Sequence, residues 1–315
     1  MRRTSNLRAA AGGMLRCLAA IAALWSVVPF RATADDAKPV QVVTTTGMIA
    51  DAAARVGGDR VQVVSLMGAG TDPHLYRATQ GDLGRLQKAD IILFNGLHLE
   101  GKMGEVFEAL GKRKPVVAVT DGIPRSELRA PPEFEGNYDP HVWFDVKLWI
   151  RVVDEIAKRL TEKLPADAAG FEARRAAYSA ELTDLDGWVR AELETVPKDR
   201  RVLVTAHDAF GYFGRAYAVE VVGLQGISTA AEFGLHDLTR TVDLVVSRKI
   251  PSVFVESSVP RKFVEALQEG AKAQGHTITI GGELFSDSMG EPGTEAATYI
   301  GMVRHNVSTI VKALR

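Results

Sequence analysis

Cysteine is almost missing from the chain: among 315 residues there is one, Cys17. It falls within the first 34 residues. The chain beyond them can form no disulfide and offer no thiolate, so a bound metal ion would have to be held by nitrogen and oxygen. Aromatic residues make up only 7 %, which argues against a cleft that stacks on a sugar or another organic ring. Positive charge is not in excess either. Five arginines lie in the first 34 residues, which leaves 33 basic against 39 acidic residues and a formal net charge of −6 for the remainder. That balance is no nucleic-acid footprint. Beyond residue 34 no stretch approaches about 18 consecutive apolar residues, so no transmembrane helix is expected. A His-Glu-x-x-His pair, the mark of one class of zinc hydrolase, is absent as well.

Residues 1–34 carry Arg2, Arg3, Arg8, Arg16 and Arg31, no acid, and an apolar run from 17 to 30. They read as a signal peptide, with Ala32-Thr33-Ala34 as a small-x-small cleavage site before Asp35-Asp36. Cys17 opens the apolar run and does not end it, which argues against a lipoprotein acylation site. A soluble periplasmic protein starting near Asp35 is expected.

Strand-like and helix-like segments then alternate. Apolar strands are predicted at 40–46, 61–67, 91–95 and 116–119, with helices at 48–56, 79–89 and 103–110 between them. Short continuous apolar strands separated by helices indicate a parallel sheet covered on both faces. Residues 124–138 hold Pro124, Pro131, Pro132 and Gly136 and read as a loop. A helix follows from 146 to about 164. Then Phe171, Tyr178, Leu182, Leu185 and Val189 recur at helical spacing over residues 167–195, a helix of about 42 Å at 1.5 Å per residue. It reads as a strut between lobes; the alternative is a long surface helix with room for a kink at Gly187. Alternation resumes with strands at 202–205, 219–224, 252–256 and 277–280 and helices at 210–217, 235–248, 260–273 and 294–314. The expected fold is α/β: two lobes, each a parallel sheet flanked by helices, joined by one long rigid helix. The expected boundaries are 35–165, 166–197 and 198–315.

One triplet occurs twice, Asp72-Pro73-His74 and Asp139-Pro140-His141. Proline fixes its own φ and pushes the preceding residue to extended backbone, so each histidine follows a stiff exit. Open α/β sheets bind ligands beyond the carboxyl ends of their strands. His74, His141, His207 and Asp287 each come after a predicted strand, two in each lobe. Three imidazoles and a carboxylate without a thiolate suit zinc, manganese or ferrous iron and are too nitrogen-rich for calcium or magnesium.

At these residues the chain resembles the zinc/manganese solute-binding protein family of bacterial ABC importers. The likeness rests on Gly70-Thr71-Asp72-Pro73-His74, Asn95-Gly96-Leu97-His98-Leu99-Glu100, Asp139-Pro140-His141-Val142-Trp143, Thr205-Ala206-His207-Asp208-Ala209-Phe210, Leu224-Gln225-Gly226-Ile227-Ser228-Thr229 and Phe285-Ser286-Asp287-Ser288. The resemblance implies two lobes on a rigid helix and one metal between them, with ligand positions at His74, His141, His207 and Asp287. It also implies a membrane permease as partner, a monomer, and no catalysis. Many manganese-selective members have glutamate where this chain has His207. Many zinc-selective members have a His-rich loop where 124–138 has no histidine. The metal, zinc or manganese with iron(II) as a third choice, stays open on those grounds.

Two other readings set limits. In a metal-dependent hydrolase an open coordination position and a nearby base are required, and four protein ligands would close the shell. A binder of a small organic solute would leave the histidines incidental. Of the remaining histidines, His98 is close enough in sequence to a strand end to support a ligand, although packing is the plainer role. His236, His276 and His305 read as surface or helix-packing residues. Glu256, ending a strand, could orient a ligand imidazole. Binding should weaken below about pH 6.5, and repulsion among three imidazolium groups should move the midpoint toward about 5.5.

Overall fold

The first half of the chain forms four parallel strands with helices between them. They are β1 (Val40–Thr44), α1 (Gly47–Gly57), β2 (Val61–Ser65), α2 (Gln80–Lys88), β3 (Ile91–Phe94), α3 (Gly104–Gly111) and β4 (Val116–Ala118). The sheet order is β2-β1-β3-β4, with Val42 opposite both Val63 and Ile91. The computed structural model describes residues 38–134, 136–231 and 234–315. The expected signal peptide and Cys17 lie outside the described residues, among which no helix is long and apolar enough to cross a membrane.

Local chemistry marks the helix ends. The Thr79 hydroxyl accepts from the Asp82 N–H at 3.2 Å, and the Asp82 carboxylate accepts from the Thr79 N–H at 2.9 Å, so two N–H groups at the start of α2 are satisfied reciprocally. The Asp145 carboxylate accepts from the N–H groups of Lys147 and Leu148 and opens α4 (Val146–Lys163).

Next comes α5 (Ala168–Glu194), 27 residues and about 40 Å long. It passes Gly187 unbroken, and Phe171, Tyr178, Leu182, Leu185 and Val189 are all buried. The second half contains β5 (Val202–His207), α6 (Gly211–Tyr217), β6 (Glu220–Gln225), α7 (Leu235–Ser247), β7 (Ser252–Glu256), α8 (Lys262–Ala273), β8 (Thr279–Leu284) and α9 (Tyr299–Leu314). Its strands form two parallel pairs, β5–β6 and β7–β8, with β5 lying alongside β7.

Of the boundaries that differ from the sequence reading, three concern the site or its support. The fifth strand extends to His207, which pairs with Gln225, so the histidine ends the strand and does not follow it. The last helix starts at Tyr299, after a short 3-10 turn. The eighth strand continues through Gly281 and Gly282 to Leu284, with a bulge opposite Val253 and Phe254. Those glycines look like a strand end in sequence, but here they permit a close approach. A Cβ on Gly281 would lie 2.7 Å from the Ala313 Cβ and 2.9 Å from the Phe254 ring.

One hydrophobic core runs through both halves. It joins Val42 and Leu93 of the first sheet to Ile49, Trp149, Leu182 and Val307 of the helices, and to Phe254 and Leu284 of the second half. Trp149 stacks on Tyr299 at 5.0 Å between centroids. Smaller cores lie within each half, around Leu86 and Phe107 in the first and around Val245 and Leu267 in the second. The α/β architecture with parallel sheets and a long helix agrees with the sequence reading.

Candidate metal centre

His74 lies in the loop after β2, His141 after the long loop that follows β4, His207 at the tip of β5, and Asp287 just beyond β8. All four sit at carboxyl ends of parallel strands, where an open α/β sheet leaves a crevice. The fold brings them together. Each is at least 97 % buried, and one ligand atom from each falls within 4.8 Å of all the others.

The separations have the size of a coordination shell. His74 Nε2 is 3.3 Å from His141 Nε2. Asp287 Oδ1 is 3.4 Å from His141 Nε2, and Oδ2 is 3.3 Å from His207 Nε2 and 3.7 Å from His74 Nε2. An ion with tetrahedral bonds of about 2.0–2.1 Å sets its ligand atoms about 3.3–3.4 Å apart. Both Asp287 oxygens and His207 Nε2 are buried without a hydrogen-bond partner among the described residues. Buried polar atoms are rarely left so, and a cation would satisfy all three. The donor set, three nitrogens and a carboxylate, fits a borderline transition ion.

Two of the three rings are aimed by what they do on their other side. Asp139 Oδ1 accepts from the His141 backbone N–H at 3.0 Å and lies 2.8 Å from its Nδ1. Glu256 does the same for His207, with Oε1 accepting from the backbone N–H at 2.8 Å and Oε2 at 2.5 Å from Nδ1. Bonding at Nδ1 turns Nε2 toward the centre and makes it the better donor. Asp72 accepts from the His74 N–H at 2.9 Å, but its other oxygen accepts from the Thr229 hydroxyl at 2.6 Å. The repeated Asp-Pro-His triplet thus shares a backbone turn and differs in the second bond.

Those partners decide the protonation of the metal-free rings. Burial pushes His74 down to about 3, with His141 and His207 adding to the effect and Asp287 opposing it. Burial also pulls on His141, but its hydrogen bond to Asp139 and the nearby negative charge of Asp287 outweigh that and raise it to about 9. For His207 burial is likewise overcome, by Glu256 and Asp287, and the ring is raised well above the ordinary value. Burial opposes the Asp287 charge, yet the two imidazoles hold its carboxyl well below the usual range. Carboxylates thus govern two of the three rings, which stands against the expected midpoint near pH 5.5, because that value rests on repulsion among three imidazolium groups.

Supports across the crevice complete the arrangement. The Trp143 indole donates to the Ser286 carbonyl at 2.9 Å, and the Tyr299 hydroxyl donates to the Trp143 carbonyl at 2.7 Å. These bonds tie the His141 loop to the Asp287 loop. Glu100, fully buried, accepts from the Thr45 hydroxyl and from the N–H groups of Asn95 and Gly96, and Asn95 Nδ2 donates to the Pro140 carbonyl. The sequence reading gave Glu100 no role. An acid two residues beyond an exposed histidine gives little sign that it is buried.

The other histidines lie elsewhere. His98 is exposed, in the left-handed region at φ 65°, beside a cavity of about 510 Å³ lined by Arg125 and Tyr138. His236 is exposed. His276 Nε2 is 2.8 Å from the Ile250 carbonyl, and His305 Nε2 is 3.0 Å from the Glu283 carbonyl.

Residues 42–313 match the family described as zinc-uptake complex component A, periplasmic. The chain belongs to this family. Its role is that of a solute-binding component of a metal ABC importer and is not enzymatic. The chain is 53 % identical to the zinc-binding protein TroA of Treponema pallidum over 281 residues, 89 % of this chain and 90 % of that protein. It is 51 % identical to the manganese-binding lipoprotein MntA of Bacillus subtilis over 277 residues, 88 % of this chain and 90 % of that protein. The solved structure of the Treponema pallidum periplasmic zinc-binding protein superposes with a TM-score of 0.86 at 52 % identity, covering 88 % of this chain and 99 % of that one. Two family relatives of nearly equal identity are thus named for different metals.

Proposed function

We propose that the protein captures one divalent transition metal in the periplasm through His74, His141, His207 and Asp287, and passes it to the membrane permease of an importer. The observation that supports this reading most is the convergence of three Nε2 atoms and two unpaired carboxylate oxygens at coordination-shell spacing in a fully buried centre. Four protein ligands leave no open position for a reacting water, which suits carriage and not hydrolysis. On this reading residues 1–34 direct export, residues 35–165 and 198–315 are the two metal-gripping lobes, and 166–197 carry the strut. The mature chain acts as a soluble monomer.

Zinc is the favoured ion on chemical grounds. Imidazole in place of a carboxylate at position 207 makes the site softer, and the Irving–Williams order puts zinc above manganese and iron(II) for nitrogen ligands. Equilibrium dialysis with elemental analysis tests the proposal, with one zinc per chain expected and its loss on His207→Ala. No tight site, or two or more, would overturn it. Competition between the ions should rank zinc first; manganese binding more tightly would refute the preference.

A further inference from the structure

His141 is aimed by Asp139, and Asp139 is in turn held from outside the centre. Its Oδ1 serves His141, while its Oδ2 accepts from the guanidinium of Arg129. The Asp139 side chain is fully buried, and that of Arg129 is 23 % exposed. Arg129 comes from the proline-rich loop 124–138 and is fixed along its length. Its carbonyl accepts from the Asp139 N–H at 2.9 Å. Its own N–H donates to the Tyr212 hydroxyl at 3.0 Å, and that hydroxyl donates to the Asp139 carbonyl at 2.9 Å. Tyr212 belongs to α6, so the arrangement spans both halves of the chain.

A glycine makes room for it. A Cβ on Gly211 would lie 1.3 Å from Arg129 Nη1 and 2.2 Å from Cζ. A side chain at 211 and the guanidinium cannot occupy the same place. The colliding atoms are the tip of a flexible side chain and not backbone, so a methyl group at 211 would displace the guanidinium without forcing the backbone to move. Expulsion would leave Asp139 Oδ2 buried without its cation, beside Asp208, a second acid whose carboxyl is raised by burial and by Asp139 and lowered by Arg129. A carboxylate so placed must move or find a new partner, and His141 Nδ1 is what it currently holds.

We propose that Arg129 is a positioning residue for the metal centre, reaching through the gap left at Gly211 to fix Asp139 and thereby the His141 imidazole. This rests on the reading of the four-residue cluster as the metal site. Arg129 touches no ligand, and its effect passes through Asp139.

The test compares zinc affinity, by competition with a chromogenic chelator, for the unaltered protein, Arg129→Gln, Gly211→Ala, the double variant and Arg215→Gln. Arg215 lies over the same Tyr212 ring, at 5.0 Å from its centroid, and its loss controls for a general change of charge. Arg129→Gln and Gly211→Ala should each weaken zinc about 10-fold or more. The double variant should match the weaker single variant, because both remove one contact. Arg215→Gln should stay within about twofold. With cobalt(II) as a spectroscopic probe, both single variants should shift the visible ligand-field bands alike, which a loss of stability alone would not do. Unchanged affinity in Gly211→Ala, or full additivity in the double variant, overturns the proposal, and Gly211→Ala decides the matter if Arg129→Gln fails to fold. Failure of the unaltered protein to bind zinc would instead refute the metal-site reading itself.

Discussion

The two nitrogens of His141 and of His207 do different work, and the carboxylate behind each of these rings sets its pH behaviour. In the metal-free protein His141 titrates at about 9 and His207 well above the ordinary value. Below those values both rings carry a proton, which a metal held as proposed must displace, so affinity should rise with pH through neutrality and fall as pH drops. His74, held near 3, stays neutral and does not compete in this range. Calorimetric titration at pH 7 in buffers of different ionisation enthalpy should therefore show about two protons released per zinc, and a dissociation constant rising up to about 100-fold per pH unit of acidification. Release of no protons would contradict the assigned states. Glu256→Gln keeps the shape of the side chain and removes its charge. It should weaken zinc by about 10–100-fold; an unchanged dissociation constant would mean that Glu256 only packs.

At the scale of elements, the long helix and the last strand respond to substitution in opposite ways. Gly187 is exposed, within α5, and a Cβ there meets nothing within 4 Å. Gly187→Ala removes backbone freedom from the unfolded chain without a clash, and should stabilise the protein by about 0.5–1 kcal/mol in urea unfolding, with zinc affinity unchanged. Gly281 is confined between Ala313 and Phe254. Gly281→Val should force β8 and α9 apart, cost about 1–3 kcal/mol and weaken zinc, because β8 delivers Asp287. Equal unfolding midpoints for Gly281→Val and the natural sequence would show that the strand end tolerates bulk.

For the whole molecule, the continuous core matters more than the length of the strut. Wide opening would expose Trp149, Tyr299 and Leu182, all fully buried, at about 1.5–3 kcal/mol for each large side chain brought to water. Metal exchange is therefore expected to use movement of loops near the centre. Small-angle scattering of metal-free and zinc-loaded protein should give nearly the same radius of gyration, and a change typical of hinge closure would count against this. Zinc should still stabilise the fold strongly, because on the proposed reading only the assembled centre can hold it. At free zinc about 1,000 times the dissociation constant the gain is about 4.1 kcal/mol, seen as a higher unfolding temperature.

The sequence by itself determined the alternating strands and helices, the buried face of α5 and the four side chains that converge. Apolar period and proline position are local signals, and a histidine after a buried strand in such a sheet can point to few places. Family blocks strengthened that reading. Only the tertiary structure decided which carboxylate stands behind which imidazole. Asp72 and Asp139 occupy the same place in identical triplets, yet one meets Thr229 and the other meets His141 and Arg129. Glu256 reaches His207 from 49 residues away. The reach of β8 was hidden for a similar reason, since glycines that end a strand and glycines that admit a neighbouring helix are the same letters. Proton affinity, ring orientation and close approach depend on partners distant in the chain, and those partners are brought together only when the two halves pack on one core.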